Sequence, residues 1–228
     1  MSSIFSGELF EFLSDLAEHN DRDWFAENKP RYEANVLEPC LEFIRALGPA
    51  LADVSPRFPA IAKKQGGSMF RIYRDTRFSK DKSPYKTHVG LQFRHELASR
   101  DVHAPGFYLH IEPGNVAVGA GMWHPESKAL RRIRDRIVAD SEGWSKVRAA
   151  LDGAGLAFMG DSLKRPPKGF DKDHPHMEDL KRKDVAVHRK LTEEALTSDA
   201  AVETVATEFD KAQSLVRFLC ESQDLPFV

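Results

Sequence analysis

The 228-residue chain predicts an α+β fold, an antiparallel meander of about four strands covered by helices from the N- and C-terminal parts of the chain. Three observations carry this expectation. Apolar residues recur at helical spacing before Gly67 and again after Pro125. Between those points they alternate at every second residue. Pro105-Gly106 and Pro113-Gly114 punctuate the alternating region as turn dipeptides.

Ser6 is a suitable cap for a first helix with Leu9, Phe12, Leu13 and Leu16 on one face. Asp21-Arg22-Asp23 then opens a short helical turn carrying Trp24 and Phe25. A longer helix is expected to start near Pro30, with Tyr32, Val36, Leu41, Ile44 and Leu47 as its stripe and a kink or break at Pro39. Phe70 and Ile72 alternate with Arg71 and Tyr73 as a first strand. Val89, Leu91 and Phe93 mark a second, and Phe107, Leu109 and Ile111 a third. Pro113-Gly114 suits the centre of a type II turn, leading to a fourth strand with Val116, Val118, Ala120 and Met122 inward. Pro125 begins a helix with Leu130, Ile133 and Ile137, and Trp144, Val147 and Leu151 form a short one. Leu156 to Pro175 reads as a long irregular segment, followed by a brief helix from Met177 to Arg182. Thr197 or Ser198 is expected to cap the last long helix, with Val202, Val205, Phe209, Val216 and Leu219 as its stripe. No repeat and no linker interrupts the chain, so residues 1–228 are expected to form a single domain.

With 41% hydrophobic and 30% charged residues, the composition is that of an ordinary soluble globular protein. Cys40 and Cys220 both fall in apolar helical patterns, which suits buried thiols in a reducing compartment. There is neither a secretory n-region nor an apolar run of membrane length, so a cytoplasmic protein without membrane contact is expected. The net charge of -2 argues against general coating of nucleic acid, and any contact with a polyanion must be local.

Positive charge is concentrated between Phe70 and His88. Arg71, Arg74, Arg77, Lys80, Lys82 and Lys86 stand there against only Asp75 and Asp81. Arginine is the better bidentate partner for phosphate or carboxylate, and Pro84 stiffens the loop. The candidate ligand-binding set is Arg71, Tyr73, Arg74, Arg77, Lys82, Tyr85, Lys86 and His88. Strand alternation would turn Arg74 towards the buried face, where it needs a carboxylate such as Asp75, Asp81 or Glu112. The rival reading is a structural arginine–carboxylate network that locks the loop. A second candidate is the polar face of the hairpin. Tyr108, His110 and Glu112 share a strand face there, while Gly119 and Gly121 leave a shallow space. His110 and Glu112 are candidate catalytic residues as an acid–base pair, or alternatively two metal ligands, with His88 and His124 as further contributors. The chain contains no HExxH, GxSxG, P-loop or GxGxxG motif, so no metal or cofactor is expected. Lys164, Arg165 and Lys168 around Pro166-Pro167 form a basic arm that either folds over the sheet or is pinned at the surface by Phe170.

The runs GGSMFRIYRDTRFSKDKSPYKTH, GFYLHIEPGNVAVGAGMWHPE and LKRPPKGFDKDHP, with NDRDWFAENKPRYE near the start, resemble the domain-of-unknown-function 2461 family. This is a set of conserved hypothetical, mostly bacterial proteins. The resemblance extends from about Phe10 to about Leu219 and implies one intact domain. It brings no catalytic residues. The functional expectation therefore rests on the residues: binding of an anionic, phosphate-bearing ligand, either a small molecule or nucleic acid, at the Arg/Lys loop. The alternatives are an enzyme using His110 and Glu112, or an interaction protein docking an acidic partner.

Overall fold

The computed structural model describes residues 3–228. Helix α1 (Gly7–Glu18) buries Leu9, Phe12, Leu13 and Leu16. Helix α2 (Arg22–Tyr32) starts at Asp21, whose carboxylate accepts the Asp23 and Trp24 backbone N–H groups at 2.9 Å each. That cap satisfies the first orphan donors, so the helix begins there and Pro30 lies inside it, not at its start. A π-helical turn at Glu33–Leu37 joins α2 to α3 (Glu38–Val54). The expected disturbance at Pro39 takes this form: the proline has no N–H for the carbonyl four residues back, and the wider turn just before it absorbs the misfit without ending the helix.

The sheet holds five antiparallel strands: β1 (Val89–Arg94), β2 (Gly106–Ile111), β3 (Val116–Met122), β4 (Ala157–Met159) and β5 (Val185–Leu191), in the order β1-β2-β3-β5-β4. The strand expected at Phe70–Tyr73 is not one of them. That segment makes only two isolated bridges, Met69 to Leu91 and Tyr73 to Tyr85. The two are out of register by two residues, because residues 86–90 carry the excess length opposite residues 70–72. A bulge therefore falls around Thr87 and His88 and breaks the ladder. The unexpected strands are β5, next to β3, and the three-residue β4 within the segment read as irregular.

The last long helix is α8 (Ala201–Ser222), which lies on β2 and β3 and against α3. Neither Thr197 nor Ser198 caps it. Their hydroxyls turn back to the Glu193 and Ala195 carbonyls of the one-turn helix α7 (Glu193–Leu196), leaving Ala200 at the α8 cap. Helices α4 (Ser127–Ala139) and α5 (Ser141–Gly153) pack beside α8, and α6 (Met177–Leu180) follows the arm. Buried Asp179 of α6 accepts from the Trp144 indole at 2.9 Å, Arg148 at 2.9 Å and Arg182 at 3.2 Å, tying the arm to α5. Phe170 lies under the Arg131 guanidinium of α4 at 4.5 Å, so the basic arm is pinned there.

One face of the sheet is core, with Phe93 and Phe107 against Phe209 at 5.8 and 5.0 Å. On the opposite face, Gln92, Tyr108, Gly119 and His188 pair across one row of the sheet. Gly106, Gly121, Ala186 and Met159 pair across the next.

Candidate functional site

The basic loop is held at its base on two sides. Arg74 N–H donates to Pro84 O and Lys86 N–H to Ile72 O. That pattern leaves the Tyr85 backbone facing outward, where the Asn20 side chain takes both of its groups at 3.0 Å. The Tyr85 ring is buried and stacks on Phe25 at 4.0 Å, so it supports the loop from beneath, while Tyr73 stays exposed.

The cations divide into two sets. At the tip, Arg77 grips Asp75 through two guanidinium nitrogens and, as an exposed pair, pushes that carboxyl down to about 2. The Lys82 ammonium donates to Thr76 O at 2.8 Å. Arg74 pairs with Asp81, whose carboxyl is held well below its usual range first by the Ser83 hydroxyl and then by Arg74. With 28% of its side chain exposed, Arg74 is not the buried arginine that strand alternation suggested. Its segment makes only isolated bridges and is not a strand of the sheet, so regular alternation does not carry through to it.

Lys86 points back to the sheet. Its ammonium donates to Arg71 O at 3.0 Å and lies 5.2 Å above the Phe70 ring. Among the described residues, no carboxylate contacts it, and burial followed by the Arg71 charge pushes its pKa down. The bulge presents His88 beside it, with its ring 4.8 Å from that of His110. Burial, then the His110 ring, lowers the His88 pKa. His110 Nε2 lies 3.1 Å from Glu112, which also accepts from Asn115 at 2.9 Å. Burial works to raise the Glu112 pKa, but these hydrogen bonds and the two imidazoles outweigh it and hold the carboxyl below its ordinary value. Arg74, Lys86, Thr87 and His88 line a cleft of about 390 Å³ together with Asp81, Ser83 and Tyr85, and Ala17 and Asn20 complete its wall. The structure thus brings Arg74, Lys86 and His88 together, with Arg71 adjoining and His110 and Glu112 next to them. It leaves Arg77 at the tip, while Lys82 lines a neighbouring cleft with Tyr73, Arg74 and Tyr85.

The space expected above Gly119 and Gly121 exists as a second cavity of about 340 Å³ on the open sheet face. Gly121 also has a role of its own. Its φ is +127°, and a Cβ there would stand 2.3 Å from Val185 O, so the missing side chain admits the β5 backbone. His124 lies beyond the end of β3 and pairs at 2.9 Å with buried Asp184, away from His110 near the start of that strand. Among the described residues, no group of three or more His, Cys, Asp or Glu side chains is arranged to hold a metal ion.

Residues 8–218 match the family model described as conserved hypothetical protein, DUF2461. The chain belongs to the DUF2461 family. No curated protein and no solved structure matches it. Membership of DUF2461 assigns no activity, so the chemistry of the cleft rests on its geometry. Asn20, Gln92 and Trp123, which line the two cavities of this member of the family, were not among the candidate site residues read from the sequence. For Asn20 there was a local signal, since it stands immediately before the helix-capping Asp21. Gln92 and Trp123 carried none, because their neighbours come from other strands and loops.

Proposed function

We propose that the chain acts as one domain that binds an anionic, phosphate-bearing ligand in the cleft formed by Arg74, Lys86 and His88, with Arg71 alongside. The observation that carries this reading is Lys86, a half-buried ammonium with no carboxylate in contact and another cation beside it. Such a cluster is costly until an anion neutralises it. The Thr87 side chain adds a hydroxyl donor at the cleft wall. A net charge of -2 with cations gathered in one place suits a small phosphorylated molecule better than a nucleic-acid backbone. Two buried free thiols fit a reducing compartment such as the cytoplasm.

Calorimetric titration with inorganic phosphate tests the reading. Lys86→Met should weaken binding at least about tenfold, as loss of a charge-assisted contact does, while Arg77→Ala leaves it unchanged. Equal affinity in the Lys86 variant and the parent would refute it.

An enzyme built on the same cleft is a second reading, favoured by the His110–Glu112 hydrogen bond beside His88. The Nε2–H donates to the Glu112 carboxylate, which orients the ring and leaves Nδ1 as the unprotonated nitrogen able to take up a proton. His110→Gln should then abolish turnover of a bound phosphate compound and leave its affinity intact.

A further inference from the structure

The second cavity meets the cation cleft at Phe70 and Lys86: the Phe70 ring lines the cavity, and Lys86, which lines the cleft, has its ammonium 5.2 Å above that ring. We infer that this cavity holds the flat heteroaromatic ring of the same ligand, which makes that ligand a mononucleotide. The inference rests on the anion-binding reading and names its ligand class.

The floor is the first argument. Gly106, Gly121 and Ala186 are register partners across three neighbouring strands, and Gly119 stands beside Tyr108 in the adjoining row. Four positions with almost no side chain leave the pleated backbone bare, so a planar group can lie flat on it. The walls are the second argument. Phe70 and Tyr108 stand 6.3 Å apart between centroids on one side. Trp123 stands on the other, 41% exposed, its carbonyl held by His103 Nδ1 at 2.7 Å. Rings on such walls stack on any base, because every base has a π-face.

Gln92 is the third and most specific argument. Its Nε2 donates to Val102 O at 2.9 Å, which fixes the amide, since the opposite orientation would set two acceptors against each other. Its Oε1 is then buried, out of reach of a ligand, and the residue lines the cavity. The second Nε2–H has no partner among the described residues. It can donate to a ring nitrogen or carbonyl of a nucleobase, acceptors that a purely hydrocarbon ring lacks. A volume of about 340 Å³ is at the low end for ligand pockets, enough for one ring and not for a stacked run of bases.

The test is calorimetry on the intact chain with inorganic phosphate, ribose 5-phosphate, and the monophosphates of adenosine, guanosine, cytidine and uridine. At least one nucleotide should bind about tenfold or more tightly than ribose 5-phosphate. Gln92→Leu should remove most of that advantage and leave ribose 5-phosphate affinity unchanged, which also shows that the variant folds. Trp123→Ala, at an exposed position, should reduce the advantage independently. If ribose 5-phosphate binds as tightly as every nucleotide, the ring site is overturned and the anion site stands. If no phosphate compound binds, both fall. A short oligonucleotide that binds far more tightly than any mononucleotide would also overturn the assignment, in favour of a nucleic acid laid along the face.

Discussion

Replacing Gly121 with alanine should cost about 3 kcal/mol or more, while Gly119→Ala should cost less than about 1 kcal/mol, although both glycines lie on β3 two residues apart. At Gly121 the φ of +127° is a conformation that L-residues rarely adopt, and holding one there costs of order 1–3 kcal/mol. The added Cβ would also meet Val185 O at 2.3 Å and Ala186 Cα at 2.7 Å. Both atoms are backbone, so no rotamer change relieves the contact and β5 itself must move. Val185 and Val187 of that strand are fully packed, and displacing a packed core element costs roughly another 1–3 kcal/mol. At Gly119 the nearest atom is Val187 O at 3.3 Å and φ is ordinary, so a shift of a few tenths of an ångström suffices. The unfolded chain also loses entropy when glycine becomes alanine, which offsets about 0.4–1 kcal/mol in both variants. Urea unfolding followed by circular dichroism measures the difference, provided the denaturant slope is unchanged. Equal midpoints for the two variants would refute the claim that Gly121 exists to admit the β5 backbone.

Other substitutions test the electrostatic assignments. Arg77→Ala should leave the urea midpoint unchanged, since its pair with Asp75 is exposed, whereas Arg74→Ala should lower it, because its pair is partly shielded; equal midpoints for the two would contradict this. Asp179→Ala should cost about 3 kcal/mol, because it strands the Trp144 N–H, Arg148 and Arg182 together; a loss below 1 kcal/mol, with Trp144 fluorescence unaltered, would contradict it. Burial pushes the Tyr108 phenol up to about 12, so the folded state keeps a proton that the unfolded chain releases near pH 10. Its contribution is complete below pH 10 and fades as pH rises towards about 12, so the parent should lose stability across that window more steeply than Tyr108→Phe.

The parts of the fold that were legible in the sequence are those whose burial follows a single period. Strands β1, β2 and β3 each have one face on α3 or α8 and one open, so Leu91, Leu109 and Val118 alternate with Gly90, Tyr108 and Gly119. Strand β5 is different. Val185, Ala186 and Val187 are all buried in succession, so the alternation that marks a strand with one open face disappears. The segment at Phe70–Tyr73 alternates as a strand should, yet its bridges fall in two registers, and register is a property of the partner chain. The same limit applied to the site. Charge density pointed to Arg71, Arg74, Lys86 and His88 as candidates. It did not reveal that Asp75 and Asp81 sit on Arg77 and Arg74, because two aspartates in a basic loop can serve any neighbour until the backbone is placed. The hydrogen bond between His110 and Glu112 followed from their two-residue spacing on one strand face.

The broken ladder beside β1 also governs how the sheet meets other chains. An unpaired strand edge invites a foreign strand to add to it, and long flat edges are where aggregation begins. Here one margin is overlaid by Ser68–Phe70, and the register break then interrupts any continuous template. The other margin is β4, three residues long and followed at once by Gly160 with φ at +89°. Neither margin offers an incoming strand more than a few consecutive hydrogen bonds. A mutation that straightened the bulge at Thr87–His88 would therefore do more than re-aim a histidine: it would lengthen the ladder at that margin and make the protein prone to edge-to-edge polymerisation.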